Sequence, residues 1–87
     1  MKIIKFEAIW CPSCLYVNNQ LKQIEKEISD IEIISYDYDN DKDLVNKWDI
    51  GEILPVFIFL DDNGNEIKRL IGERNKKQFL EAINSLR

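Results

Sequence analysis

The chain has 87 residues, of which 45% are hydrophobic and 32% charged, with a formal net charge of −4. Length and balance describe one small globular domain over residues 1–87 and exclude a disordered chain. The acidic balance, without a Lys/Arg cluster, excludes electrostatic capture of nucleic acid or anionic lipid. No apolar run approaches the roughly 18 residues of a membrane span.

Histidine is absent. That removes Cys–His nucleophile pairs, Cys₂His₂ zinc sites and imidazole acid–base chemistry from this chain. Met1 leads directly into strand-like sequence with no leader pattern, so a cytoplasmic protein is expected. In that compartment two cysteines read as a catalytic or metal-binding pair rather than a structural staple.

In chain order, residues 2–9 are short, apolar and β-branched, and predict a buried strand ended by Trp10-Cys11-Pro12. Pro12 suits the first turn of a helix, where its missing N–H would be unpaired in any case. Cys14, Val17, Leu21, Ile24 and Ile28 then recur at helical spacing and predict a helix to about Ser29. Residues 31–36 form a second strand, and Asp37 to Asp43 a polar connection. Leu44, Val45 and Trp48 suggest a short second helix. Val56-Phe57-Ile58-Phe59-Leu60 is a third strand entered through Pro55. Asp61-Asp62-Asn63-Gly64-Asn65 is a hairpin signal, because Asn and Gly tolerate positive φ. Residues 66–71 make the fourth strand, antiparallel to the third, and Gly72 ends it. Asn75 with Gln78 forms a capping box that opens a last helix, with Phe79, Leu80, Ile83 and Leu86 inward. The order β-α-β-α-β-β-α gives an α/β domain. Its sheet is four-stranded and mixed, with the first two strands parallel and helices on both faces.

The chemistry concentrates at Cys11-Pro12-Ser13-Cys14, which holds both cysteines at a strand-to-helix junction. Two thiols there form either a dithiol/disulfide switch or half of a metal site. One C-x-x-C holds zinc or an iron–sulfur cluster only by dimerising or with outside thiols. Cys11 precedes the helix, where unpaired N–H groups and the helix dipole stabilise negative charge. Ser13 and Cys14 have N–H groups to aim at its sulfur, and the Ser13 hydroxyl is a further donor. Cys11 is therefore expected to be the exposed nucleophile, with a thiol that titrates below the free value of about 8.5. Cys14, on the apolar stripe, is expected to be buried and to resolve the mixed disulfide. The acids of Asp37-Tyr38-Asp39-Asn40-Asp41-Lys42-Asp43 alternate as in a calcium loop. Lys42 takes the glycine position and Trp48 the bidentate glutamate position, so the stretch reads as a solvated loop.

The element order, with C-x-x-C opening the first helix and Leu54-Pro55 opening the third strand, resembles the thioredoxin-like family over essentially the whole chain. The size is similar to that of glutaredoxins. Residues alone favour a trans Pro55 opening an edge strand, since only about 5–6% of X–Pro bonds are cis. The resemblance implies a cis Leu54-Pro55 bond facing the dithiol. It also implies a thiol–disulfide oxidoreductase that reduces protein disulfides through a redox-active Cys11–Cys14 disulfide, without a cofactor or metal. Trp10, Pro12, Ser13, Ile53, Leu54, Pro55 and Gly72 would support the site and meet the substrate. The implied partners are disulfide-containing proteins on one side and, on the other, a thioredoxin-reductase-like flavoprotein or glutathione as electron donor. A monomer is implied, with no nucleic-acid or membrane partner. Glutathione-linked reduction is an alternative. The glutaredoxin Thr-Val before the proline and the later Gly-Gly are replaced here by Ile53-Leu54 and Gly72-Glu73. A dimeric metal-binding or redox-sensing module is another alternative. Thioredoxins carry a buried Asp six residues before the first cysteine, and Lys5 stands there in this chain.

Overall fold

The structure is a computed structural model and describes residues 1–86. Seven elements follow in the expected order: β1 (Lys2–Glu7), α1 (Pro12–Glu27), β2 (Glu32–Asp37), α2 (Lys42–Lys47), β3 (Val56–Leu60), β4 (Glu66–Ile71) and α3 (Lys76–Ser85). The strands form one sheet in the order β2-β1-β3-β4. β1 runs parallel to β2, with Lys5 level with Ser35. It runs antiparallel to β3, with Lys5 level with Phe57. β3 and β4 are antiparallel, with one register shift between Phe59 and Leu60.

Side chains alternate across a strand, so β1 and β3 each feed two layers. Ile3, Phe57 and Phe59 point to one face, where Val17, Leu21 and Ile24 of α1 and Phe79, Ala82 and Ile83 of α3 cover them. Ile4, Phe6, Val56, Ile58 and Leu60 point to the other, against Val45 of α2 and Ile50. The Phe57 and Phe79 rings meet edge to face at 4.8 Å between centroids. This geometry adds to the apolar area the two rings bury. Leu80 and Leu86, expected inward, are only partly buried at the margin of the first layer.

Boundaries differ from the expectations where side-chain pattern competes with backbone bonding. β1 stops at Glu7, because the chain turns once the Ala8 carbonyl accepts the Cys11 N–H at 3.2 Å. α1 ends at Glu27, where extended Ile28 caps it and returns its N–H to the Ile24 carbonyl. β2 lies one residue later than expected and includes Asp37, whose N–H is held by the Asp41 side chain at 2.8 Å. α2 begins at Lys42, so the polar connection is shorter than its composition suggests. The capping box of α3 is present in full, with Asn75 and Gln78 bonded in both directions.

The β3–β4 hairpin is tied by Asp61. Its Oδ1 accepts the N–H groups of Asn63 and Asn65, each at 2.9 Å, and Gly64 takes φ +83°. These bonds, that of Asn65 foremost, hold the Asp61 carboxyl below its ordinary 3.8. A depressed folded pKa contributes stability at pH above the unfolded value, and that stability is lost as pH falls through the folded titration. The stability gap between wild type and Asp61→Ala is therefore expected to be widest near neutral pH. It should narrow below pH 3.8, as read by thermal melts at a series of pH values. In the core, Phe79→Ala should lower the unfolding free energy by about 3–5 kcal/mol in denaturant titrations.

Candidate active site

The turn that ends β1 and the start of α1 deliver both cysteines to one end of the sheet. Cys11 is the N-cap of α1 with extended dihedrals, and Pro12 opens the first turn. The Cys11 sulfur accepts the Cys14 N–H at 3.2 Å. The thiol thus fills the role that a hydroxyl or carboxylate plays at other helix starts. Cys11 and Cys14 are joined as a disulfide, with Cα atoms 5.3 Å apart. Ser13 sits between them, half-buried on the first turn.

Cys11 is not the exposed side chain expected. It is 5% exposed, against 2% for Cys14. The two pack with Ala8 into a small apolar cluster that Tyr38 and Leu54 flank. A residue bonded into a disulfide within a packed apolar cluster has little surface left, although Cys11 remains the more open of the pair.

Leu54-Pro55 is cis. The trans reading favoured by the residues alone is corrected, and the form implied by resemblance is present. Pro55 is fully buried, and its carbonyl accepts the Gly72 N–H at 2.8 Å. Gly72 has φ +96°, a region costly for residues with a Cβ, which explains glycine at the end of β4. Leu54 packs against the cluster that holds the two cysteines, and Pro55 and Gly72 are bonded to each other next to it in the chain and the sheet. Trp10, at 57% exposure, and Ile53, at 64%, stand out from the surface, and Pro12 is exposed as well.

Several residues at this end were not singled out from sequence. The Trp10 indole N–H donates to Asp39 Oδ2 at 2.8 Å. Its ring meets Tyr38 edge-on at 6.4 Å, and Lys42 Nζ lies 4.3 Å from the centre of the other ring. The acidic stretch is therefore the anchor of Trp10. Its carboxylates mostly accept bonds from their own loop, with Asp37 taking Asp39 N–H and Asn40 Nδ2. Among the described residues no cluster of His, Cys, Asp or Glu is arranged to hold a metal ion. The aromatic Tyr38 within an otherwise polar run was the available signal.

Lys5 is 7% exposed on the α1 face of β1. Its ammonium donates to Asn18 Oδ1 and pairs with Glu7 Oε2 at 3.4 Å. Asn18 Nδ2 in turn donates to Glu7 Oε2 at 3.0 Å. A buried ammonium is tolerated only when paired in this way. Asn18 lies one helical turn beyond Cys14, a spacing that could have marked it.

The family model described as thioredoxin matches residues 1–85. The chain belongs to the thioredoxin family. It is 34% identical over 70 residues to Thioredoxin H5 of Oryza sativa subsp. japonica, a match covering 80% of this chain and 50% of that one. It is 31% identical over 71 residues to a Thioredoxin H-type protein of Picea mariana, covering 82% and 55%. The chain thus spans about half the length of these thioredoxins. The X-ray structure of Fasciola hepatica thioredoxin superposes with a TM-score of 0.85 at 26% identity, covering 97% of this chain and 78% of that one. Thioredoxin-2 of the malaria parasite shares the fold at a TM-score of 0.89 and 21% identity, covering 97% and 81%. Lys5, bonded to Asn18 and paired with Glu7, occupies the position where the resemblance implies a buried Asp.

The anchoring of Trp10 is testable by fluorescence in a Trp48→Phe background, where Trp10 is the remaining indole. Asp39→Ala should raise the acrylamide quenching of Trp10. Unchanged quenching would show that Tyr38 alone fixes the ring.

Proposed function

We propose that this thioredoxin-family chain is a thiol–disulfide oxidoreductase that reduces disulfides in protein substrates. One observation carries the reading: Cys11, at the N-terminus of α1 with its sulfur on the Cys14 N–H, is already paired with Cys14 as a disulfide. When the pair is reduced, the helix start favours the Cys11 thiolate, which is the attacking species. The thiolate attacks one sulfur of the substrate disulfide, forming a mixed disulfide and releasing the other sulfur as a thiolate. Cys14 then attacks Cys11, closes the Cys11–Cys14 disulfide and releases the second substrate thiolate. Two electrons pass from the dithiol to the substrate.

The surroundings support a protein-sized substrate. Trp10, Leu15 and Ile53 are exposed apolar side chains near the disulfide, and exposed aromatic and aliphatic groups favour contact with polypeptide. Leu54, on the irregular stretch before β3, offers backbone groups to an extended segment beside a substrate disulfide. With no histidine between the cysteines, the thiolate form is less strongly stabilised than in oxidising Cys-Pro-His-Cys proteins, which supports reduction as the direction. The electron donor is then a flavoprotein reductase or glutathione. The site needs only one chain, which supports a monomer. The cysteine usage supports a reducing, cytoplasmic setting.

Insulin-disulfide reduction driven by dithiothreitol is the direct test. Wild type should accelerate it, and Cys11→Ser should fall to the uncatalysed rate. Cys14→Ser should also lose turnover and accumulate a mixed disulfide at Cys11, visible by mass spectrometry. Full activity in Cys11→Ser would overturn the mechanism. Retention of activity toward glutathione mixed disulfides in Cys14→Ser, with protein-disulfide activity lost, would move the substrate to glutathione-linked thiols.

A further inference from the structure

The second step of the proposed reaction needs a proton acceptor. Cys14 is buried on the apolar stripe of α1, and a buried thiol must lose its proton before its sulfur can attack Cys11. No imidazole exists in the chain to take it. Cys14 nevertheless borders a cleft of about 360 Å³ between α1 and the ends of β1 and β2. One water needs roughly 10–15 Å³ measured this way, so the cleft has room for water beside Cys14.

Three carboxylates line that cleft: Glu7, Asp37 and Asp41. Asp37 is occupied at both oxygens, by Asp39 N–H and Asn40 Nδ2. Asp41 Oδ2 is taken by Asp37 N–H and serves the β2–α2 connection. Glu7 differs. Its Oε2 takes both bonds, from Asn18 Nδ2 and from the Lys5 ammonium. Asn18 lies one turn along α1 from Cys14, so the carboxylate is fastened to the helix that carries the thiol. Asn18 and Tyr36 also line the cleft, and Lys5 bonds to Asn18 and pairs with Glu7 of that lining.

The geometry points to Glu7 as the proton acceptor for Cys14, with Asn18 and Lys5 as positioning residues. This rests on the dithiol reading above. As the mixed disulfide forms at Cys11, the Cys14 S–H proton passes through the cleft to the Glu7 carboxylate. The Cys14 thiolate attacks the Cys11 sulfur, and the bond from Cys11 to the substrate sulfur breaks. The departing thiolate takes the proton held by the Glu7 carboxyl, directly or relayed by a water, and the carboxylate is restored. The Lys5 ammonium lies 3.4 Å from that carboxylate. Asn18 moves with α1 and holds the distance between Glu7 and Cys14. Position 5 therefore supplies a cation rather than an acid in this chain, and the acid sits two residues further along the same face of β1.

Stopped-flow reaction of the reduced protein with dithiobis(nitrobenzoate) separates the steps. The first coloured thiolate is released by Cys11 attack, and the second by Cys14 resolving the mixed disulfide. Glu7→Gln keeps the side-chain shape and an oxygen for Asn18. It is expected to leave the first release unchanged and to slow the second by about 10²-fold at neutral pH, the lower range for a positioned proton acceptor. The second release in Glu7→Gln should also rise more steeply with pH than in wild type, because hydroxide replaces the carboxylate. Glu7→Asp should recover part of the rate. An unchanged second release in Glu7→Gln would overturn the assignment. So would a slower release with the wild-type pH slope, which would mark Glu7 as merely structural. Loss of the Cys11 dependence of the first release would instead overturn the dithiol reading itself.

Discussion

Burial of β1 on both faces is the constraint from which the rest of the molecule is built. The strand is central, with β2 on one side and β3 on the other. Ile3 joins the layer under α1 and α3, while Ile4 and Phe6 join the layer over α2. With both faces covered, the chain can leave the sheet only at the strand end. It does so between Ala8 and Cys11, in a turn closed by one backbone bond. That turn places the Cys11 sulfur against the first N–H groups of α1. The chemistry of the site is thus set by where a fully buried strand is forced to stop.

The opposite wall of the site follows from the same sheet. β3 lies beside β1, so the residues that lead into it arrive next to the turn before α1. Leu54 and Pro55 are carried there, and the Pro55 carbonyl fastens Gly72 at the end of β4. Three segments far apart in sequence meet because their strands are adjacent in register.

Much of this was legible in the residues. The stripe Cys14, Val17, Leu21 and Ile24 gave α1 its inner face, and the Asn75–Gln78 box marked the start of α3 to the residue. The hairpin at Asp61 to Asn65 was likewise written in local chemistry. The cis bond before Pro55 was not, because isomer choice depends on what packs around the ring. Only the resemblance supplied it. The burial of Cys11 was missed because helix-start reasoning describes a backbone and says nothing of Tyr38 or Leu54 packing against the cysteine cluster. The roles of Asn18 and Asp39 were missed for a related reason: a polar side chain names its donors and acceptors, but the fold chooses its partner.

Lys5 also guards the pairing of the sheet. Successive residues of a strand face opposite ways, so a slip of one position would turn every side chain of β1 over. Ile4 and Phe6 would leave the α2 layer, and the Lys5 ammonium would enter it among Ile58, Val56 and Leu60, away from Asn18 and Glu7. An aliphatic residue at this position would fit either arrangement. A buried cation that would lose its Asn18 and Glu7 partners disfavours the misaligned sheet. A single polar residue in the central strand thereby gives the small domain one way to assemble.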